Sequence, residues 1–219
     1  MKKTVKWRIA QYTELQWWKR YLQDKDKPSY IAWKRDYWQR FLNQLMIESL
    51  PENAQLADVG CGIAGIFMMY PNYEVDAYDP LLDNYAAHLG DFFAPETDYP
   101  NVRFHGLPLE MLKVNETKQY DLVFCTNAIN HVADIDVAMD NLIGMVKSGG
   151  QLVLSIDAHN WQMLKHIFRW LPGDILHPYQ YDLKEYKTML AKRNMTLQQS
   201  VKIKKEFIFD YWVVVGQKA

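Results

Sequence analysis

Short apolar runs alternate with segments of helical periodicity along the middle of the chain, and this alternation constrains the fold more than any other feature. The clearest helical segment is DIDVAMDNLIGMVK at 134–147. Strands that alternate with helices are joined by right-handed crossovers and form a mainly parallel, doubly wound sheet. The predicted strands are QLADVG (55–60), YEVDAYD (73–79), NVRFHG (101–106), YDLVFCT (120–126) and GGQLVLSID (149–157).

Both ends of the chain depart from this alternation of strands and helices. Near the C-terminus, MTLQQSVKIKKEF (195–207) and FIFDYWVVVGQK (207–218) have no helix between them, so we expect them to pair antiparallel at one edge of the sheet. The N-terminal segments TELQWWKRYLQ and SYIAWKRDYWQRFLNQLMIESL predict about 50 residues of helix, with Ser29 as an N-cap and Pro51 as the stop. We therefore predict one domain, with a helical N-terminal cap at 1–50 and a core at 51–219.

Composition excludes several classes of protein. Hydrophobic residues make up 49% of the 219 residues and the net charge is −1, which disfavours a disordered chain. No apolar run reaches the roughly 18 residues that a membrane span needs, and the N-terminus lacks the apolar stretch of a secretion signal. The two cysteines form no CxxC pair, which argues against a disulfide framework or a zinc site. We expect a cytoplasmic protein with no membrane partner.

Charge is distributed unevenly. Residues 1–40 contain 11 Lys and Arg against 4 Asp and Glu, a balance of +7, and the remaining 14 against 22 give −8. A basic segment interleaved with Trp and Tyr is compatible with a nucleic-acid surface. It is also compatible with the solvated faces of two amphipathic helices, and we favour this second interpretation because the polar faces of helices are usually just solvated.

The stretch LADVGCGIAGIF (56–67) predicts a ligand site. Gly60, Gly62 and Gly65 follow the first predicted strand directly, and glycine lets a ligand lie against the backbone. In an open α/β sheet, ligands bind at the carboxyl ends of the strands, where the strand order reverses. Asp79 ends the second predicted strand, at the distance where an acid accepts hydrogen bonds from a ribose diol. Together these residues predict a nucleoside pocket.

Two nucleoside cofactors fit such a pocket, a dinucleotide and S-adenosylmethionine. Asp58 precedes the first glycine by two positions. A carboxylate there repels a pyrophosphate but suits a free amino group and a sulfonium charge. A dinucleotide enzyme also needs a substrate domain, for which few residues remain. Taken alone, Asp58 is also compatible with a capping acid and Asp79 with a turn acid.

The stretch from Asp58 to Gly65 resembles the first motif of the class I S-adenosylmethionine-dependent methyltransferases. The resemblance continues through FHGLPLEML, YDLVFCTNAINHV and MVKSGGQLVLS, and covers about residues 50–157. It implies a Rossmann-like seven-stranded, mainly parallel sheet with one antiparallel strand near an edge. It also implies an enzyme that transfers a methyl group from S-adenosylmethionine and releases S-adenosylhomocysteine.

The resemblance also implies roles for individual residues. Asp58, Gly60, Cys61 and Gly62 would lie along the methionine moiety, with Gly65 completing the loop, and Asp79 would take the ribose hydroxyls. The adenine would be bordered by Pro80, Leu81, Gly106 and Leu107, and Asn127 would lie near the methyl group. The family often has its third glycine at the position of Ala64, whereas here Gly65 follows it. Because alanine is small, we expect cofactor binding to survive.

Methyl transfer is an in-line displacement, so positioning supplies much of the acceleration. A general base is needed only for an acceptor that arrives protonated. The candidate base is His131, in NAINHV after the fourth strand, although it is also placed to cap the following loop. His159 and His177 lie in predicted rim loops and are candidates to line the acceptor pocket. The spacing of these histidines predicts no metal site.

The acceptor class is constrained by an absence. Methyltransferases of this superfamily that act on base or amide nitrogens carry an Asn/Asp-Pro-Pro-Tyr/Phe pattern where this chain has NAIN, so nucleic acid is disfavoured. The segment is similar to that of the small-molecule and quinone-type members, whose N-terminal helices cover the acceptor pocket. Tyr30, Trp33, Tyr37 and Trp38 are therefore candidates to close over the acceptor, while Trp18 and Trp38 also fit the core.

Three hypotheses follow from the sequence. The first is a methyltransferase for a small-molecule acceptor, working as a monomer or homodimer. The second is an RNA or protein methyltransferase that uses the basic N-terminal helices. The third is a non-catalytic protein that binds the cofactor as a scaffold.

Overall fold

The structure is a computed structural model that describes residues 5–112, 118–159, 181–205 and 209–219. Within these ranges seven strands form one sheet of order β3-β2-β1-β4-β5-β7-β6. All neighbouring pairs are parallel except those of β7, which runs antiparallel to β5 and β6. The strands are β1 Gln55–Val59, β2 Glu74–Tyr78, β3 Val102–His105, β4 Tyr120–Cys125, β5 Val146–His159, β6 Met195–Lys204 and β7 Phe209–Lys218. The predicted doubly wound sheet with an antiparallel edge region is confirmed.

Helices cover both faces of this sheet, and the buried apolar side chains form two clusters. The helices are α1 Val5–Leu22, α2 Lys27–Leu42, α3 Leu82–His88, the single turn α4 Pro95–Asp98, α5 Ile135–Gly144 and α6 Leu183–Ala191. Short 3-10 turns occupy Ile66–Met69, Gly90–Phe92, Leu109–Met111 and Ile129–His131. No helix in the described part of the chain is long and apolar enough to cross a bilayer.

The predicted N-cap and end of the second helix are wrong. The N-cap of α2 is Asp26, whose carboxylate accepts a hydrogen bond from the Ser29 amide at 2.9 Å. The helix ends at Leu42, eight residues earlier than predicted. The amides of Met46 and Glu48 donate instead to the side chains of Gln199 and Gln151, at 2.7 and 2.9 Å. These partners lie on strands at the other end of the chain, so local periodicity gave no sign of them.

The segment after β1 also differs from the expected strand–loop–helix unit. Only the 3-10 turn Ile66–Met69 follows the glycines. Helix α2 packs here instead, because the Trp38 indole nitrogen donates to the Ala64 carbonyl at 3.0 Å and Arg35 donates to the Met68 carbonyl at 3.3 Å. The helix is thereby fixed against the glycine loop.

We expect Trp38→Phe to loosen this attachment. The substitution keeps an aromatic ring but leaves the buried Ala64 carbonyl without its donor, which costs about 1–3 kcal/mol in the free energy of unfolding. Urea denaturation measures the loss. The matched control is Trp17→Phe, because Trp17 is 52% exposed. Equal losses in the two variants would contradict the structural role assigned to the Trp38 hydrogen bond.

Candidate active site

The strand order reverses between β1 and β4, and the loops that follow these two strands touch each other. Gly60 has a φ of +72°, and a Cβ built on it would lie 2.1 Å from the Cβ of Ala128. The amides of Gly60 and Cys61 donate to the Tyr78 carbonyl at 2.7 and 3.1 Å. Glycine is required at position 60 for both its backbone conformation and this close approach. A crevice forms beside the contact, where ligands bind in such sheets.

Asp79 connects the loops after β1 and β2. Its Oδ2 accepts from the Gly62 amide at 3.0 Å and its Oδ1 accepts from the Leu81 amide at 2.8 Å. Gly62 has a φ of +56°, which turns its amide toward this carboxylate. Asp79 is 7% exposed and borders the crevice.

Asp58 lies beneath the glycine loop and is fully buried. Its Oδ2 accepts from the Phe67 amide at 3.1 Å, while its Oδ1 is buried without a hydrogen bond from any described residue. Gly65 packs against this side chain, since a Cβ on Gly65 would meet Asp58 Oδ2 at 2.3 Å. Gly65 therefore leaves room for the Asp58 carboxylate directly beneath the loop.

Burial of these two acids shapes the electrostatics of the site. Burial raises the pKa of the Asp58 carboxyl to about 7. Burial also raises the pKa of the Asp79 carboxyl to about 7, with the neighbouring charges of Glu14 and Asp58 adding to the effect. A cation bound between these acids would stabilise their ionised forms.

Two cavities meet at this point and share Glu14, Gly60, Asp79 and Asn127. The first, of about 110 Å³, is lined on its far side by Val59, Tyr78, Pro80, Leu107, Leu109 and His131. The second, of about 300 Å³, is lined by residues 60–64 of the glycine loop and by Trp18, Lys34, Tyr37, Trp38, Thr126 and Tyr211. We call these the first cavity and the second cavity.

Most of the residues predicted for cofactor binding come together here. Gly60, Asp79 and Asn127 border both cavities, while Cys61 and Gly62 line the second. Asn127 adopts a φ of +55°, and its amide donates to the Ser155 hydroxyl at 2.6 Å. The first cavity also takes in the predicted Pro80, Leu107 and His131.

Other predicted residues lie behind the cavity walls. Leu81 is buried and contributes its amide to Asp79. Gly106 faces the Asp83 carboxylate and does not line either cavity. Asp58 and Gly65 form the floor beneath the glycine loop.

The residues predicted to contact the acceptor separate in space. Tyr37 lines the second cavity, whereas Tyr30 and Trp33 line an outer groove together with Tyr21 and Lys25. His159 lies at the end of β5, in a different groove beside Asp182 and Trp212. His177 lies outside the described residues.

Glu14, Lys34, Thr126 and Tyr211 line the second cavity but were missed by the sequence analysis. Lys34 stands three and four residues before Tyr37 and Trp38, so helical periodicity places all three on one face, a signal that was available. No such sequence signal exists for Glu14 and Tyr211, because their placement depends on packing between distant parts of the chain. Trp18 both packs on the core and lines the cavity. No group of three or more metal-binding side chains occurs within the described ranges.

The raised acid pKa values predict that the ligand-free protein is less stable at higher pH. A carboxyl whose pKa rises from 3.8 to about 7 on folding stabilises the fold fully below pH 3.8 and loses that contribution as pH rises to about 7. We expect the free energy of unfolding to fall by about 1–3 kcal/mol between about pH 5 and pH 8. Urea denaturation at several pH values measures this fall in the free energy of unfolding.

Asp79→Asn should reduce this slope by about half, because one of the two acids no longer titrates. Asp24→Asn, at an exposed position of the helical segment, is the control and should keep the wild-type slope. Asp76 does not interfere in this window. Although its burial opposes ionisation, hydrogen bonds from Arg103, His105 and Lys118 lower its pKa to about 2. An unchanged slope in Asp79→Asn would contradict the assignment.

Comparisons with known proteins agree with this geometry. Residues 30–200 match the family model described as a methyltransferase domain. A ubiquinone biosynthesis O-methyltransferase from Rickettsia bellii is 27% identical over 171 residues, covering 73% of this chain and 69% of that relative. YcgJ from Bacillus subtilis has a similar fold, with a TM-score of 0.62 at 13% identity, covering 83% of this chain and 98% of the other.

A structure with bound S-adenosylhomocysteine shares the fold as well. Magnesium protoporphyrin IX methyltransferase from Synechocystis has a TM-score of 0.60 at 15% identity, covering 94% of this chain and 95% of the other. The site fits the same cofactor, because the unpartnered Asp58 Oδ1 and the paired acids suit a cation and Gly60 allows close approach. The chain belongs to the methyltransferase-domain family and is a class I S-adenosylmethionine-dependent methyltransferase.

Proposed function

We propose that this enzyme methylates a small-molecule acceptor bound in the second cavity. One observation carries the proposal: the second cavity adjoins the first through Gly60, Asp79 and Asn127, and its outer wall consists of Trp18, Tyr37, Trp38 and Tyr211. A cavity of about 300 Å³ suits a small ring better than a polymer. The N-terminal helices at 1–50 would then act as a cap over the acceptor.

The residues of the site suggest how the cofactor would be held. Asp79 would accept hydrogen bonds from the ribose, Pro80 and Leu107 would border the adenine, and Cys61 and Gly62 would lie along the methionine moiety. Asp58 would offer its free oxygen from beneath the loop. When bound, S-adenosylmethionine supplies a methyl group already activated by the sulfonium charge.

The contribution of the protein would be mainly positioning. The rings of Tyr37, Trp38 and Tyr211 would hold a flat acceptor against the glycine loop and exclude water. The relatives that carry the name ubiquinone biosynthesis O-methyltransferase favour an oxygen acceptor. A hydroxyl acceptor that arrives protonated needs a base, and His131 is our candidate because it lines the adjoining first cavity.

We also propose that the enzyme works in the cytoplasm, as a monomer or homodimer. Cys61 and Cys125 are both free thiols and both buried, which is compatible with a reducing compartment.

The acceptor class is testable with probes of different size. We expect the protein to release S-adenosylhomocysteine with at least one mono- or dihydroxylated aromatic probe, and to transfer no methyl group to total RNA or to unfolded protein. Transfer to the polymers alone would replace the proposal with the RNA or protein hypothesis. Cofactor binding without any transfer would favour the scaffold.

The position of the acceptor is tested by Tyr37→Ala in the same assay. Removing this ring should raise the KM for the probe by about tenfold, while the Kd for S-adenosylmethionine changes less than about twofold. Tyr12→Ala, at a site 65% exposed, is the matched control. A Tyr37→Ala variant with unchanged KM would show that the acceptor binds elsewhere.

The role of His131 is tested by His131→Gln, with the exposed His88→Gln as control. If His131 is the base, kcat for a hydroxyl acceptor should fall by roughly 100-fold at unchanged cofactor Kd. The loss should shrink at high pH, where the acceptor ionises without help. A higher Kd for the cofactor with unchanged kcat would instead indicate that His131 borders the adenine.

A further inference from the structure

Lys34 places a cation in the second cavity, on the face of α2 that packs over the glycine loop. Its ammonium group lies 5.3 Å from the ring centroids of both Tyr37 and Trp38. It makes no ion pair or hydrogen bond with any of the described residues, whereas Lys27 and Lys147 pair with Asp98 and Asp121 at 2.7 and 2.8 Å.

Burying the Lys34 ammonium group costs free energy unless an anionic partner is supplied. Burial lowers the pKa of Lys34 to about 8, while the charge of Asp58 opposes the shift, so the side chain is mostly protonated at neutral pH. Contact with aromatic rings contributes only about 0.5–1 kcal/mol at partly exposed sites. A charge held away from water is stabilised fully only by a counter-charge with a hydrogen bond.

Lys34 is also the sole cation among the described residues that line the second cavity, and the acids Glu14 and Asp79 line the same cavity. Any anion that enters would be repelled by these acids and by Asp58 beneath the loop. The position beside Lys34 is therefore where an anionic group is tolerated. Because Lys34 and Asp58 are close enough to interact, the cavity presents opposite charges to a bound molecule.

We propose that Lys34 binds a carboxylate of the molecule that occupies the second cavity. The inference rests on the proposed function of the cavity. The carboxylate has two possible sources, the amino-acid portion of the cofactor and an acidic group of the acceptor.

Calorimetric binding to matched probes tests the proposal and identifies the source. S-adenosylhomocysteine is compared with methylthioadenosine, which lacks the amino-acid carboxylate. Protocatechuate is compared with catechol, which lacks a carboxylate, in the S-adenosylhomocysteine complex. The variants are Lys34→Met and Lys34→Arg, with Lys25→Met as control, because Lys25 lies over Tyr21 at 4.4 Å on the outer groove.

We expect Lys34→Met to weaken one carboxylate-bearing probe by about 10- to 100-fold, as for a lost charge-assisted hydrogen bond. Its counterpart without the carboxylate should change by less than about twofold, and Lys34→Arg should restore most of the affinity. If Lys34→Met selectively loses affinity for S-adenosylhomocysteine, Lys34 binds the carboxylate of the cofactor. If it selectively loses affinity for protocatechuate, Lys34 binds the carboxylate of the acceptor.

The proposal is overturned if no probe changes affinity, if each pair of probes weakens equally, or if Lys25→Met has the same effect. Binding requires no turnover, so the outcome is separate from that of the proposed function. If the wild-type protein binds these probes selectively but methylates none of the aromatic acceptors, the proposed function is contradicted and the proposal for Lys34 is not.

Discussion

The site depends on the Asp79 carboxylate, which binds the backbone of two loops at once. Its oxygens accept from Gly62 and Leu81, so the conformation of the glycine loop and the direction of the chain after β2 are fixed together. As a consequence, Asp79 is a buried acid close to Glu14 and Asp58. Its carboxyl group resists ionisation unless a cation is bound. A cation bound beside these acids would therefore be linked to their protonation.

The second cavity depends on the attachment of α2. Trp38 binds the Ala64 carbonyl, and the same helix turns Lys34 and Tyr37 toward the second cavity. This hydrogen bond thus helps to hold the glycine loop close to Lys34 and Tyr37. Tyr211, from β7, completes the wall and donates to the Ser155 hydroxyl at 2.8 Å.

The sequence was sufficient for the parts of the fold and site that follow from local pattern. Strand β1, the positive φ of Gly60 and the position of Asp79 all follow from spacing within about 25 residues, because a strand, its loop and the next strand end are neighbours. The end of α2 at Leu42 could not be predicted, since helical periodicity continues past it. The side chains of Gln151 and Gln199, more than 100 residues away, bind the backbone that leaves the helix.

Those glutamine contacts bear on the order in which the protein is assembled. The segment after α2 is held by Gln199 through both the Met46 amide and the Gln44 carbonyl, and Gln199 lies on β6 near the end of the chain. A ribosome therefore releases the N-terminal helices long before their anchor has been synthesised. Helix α2 can meet the glycine loop early, but the segment after it, at residues 44–46, has to wait for Gln199 until the last hairpin forms. Completion of the second cavity is a late event, although most of its residues are among the first to be made.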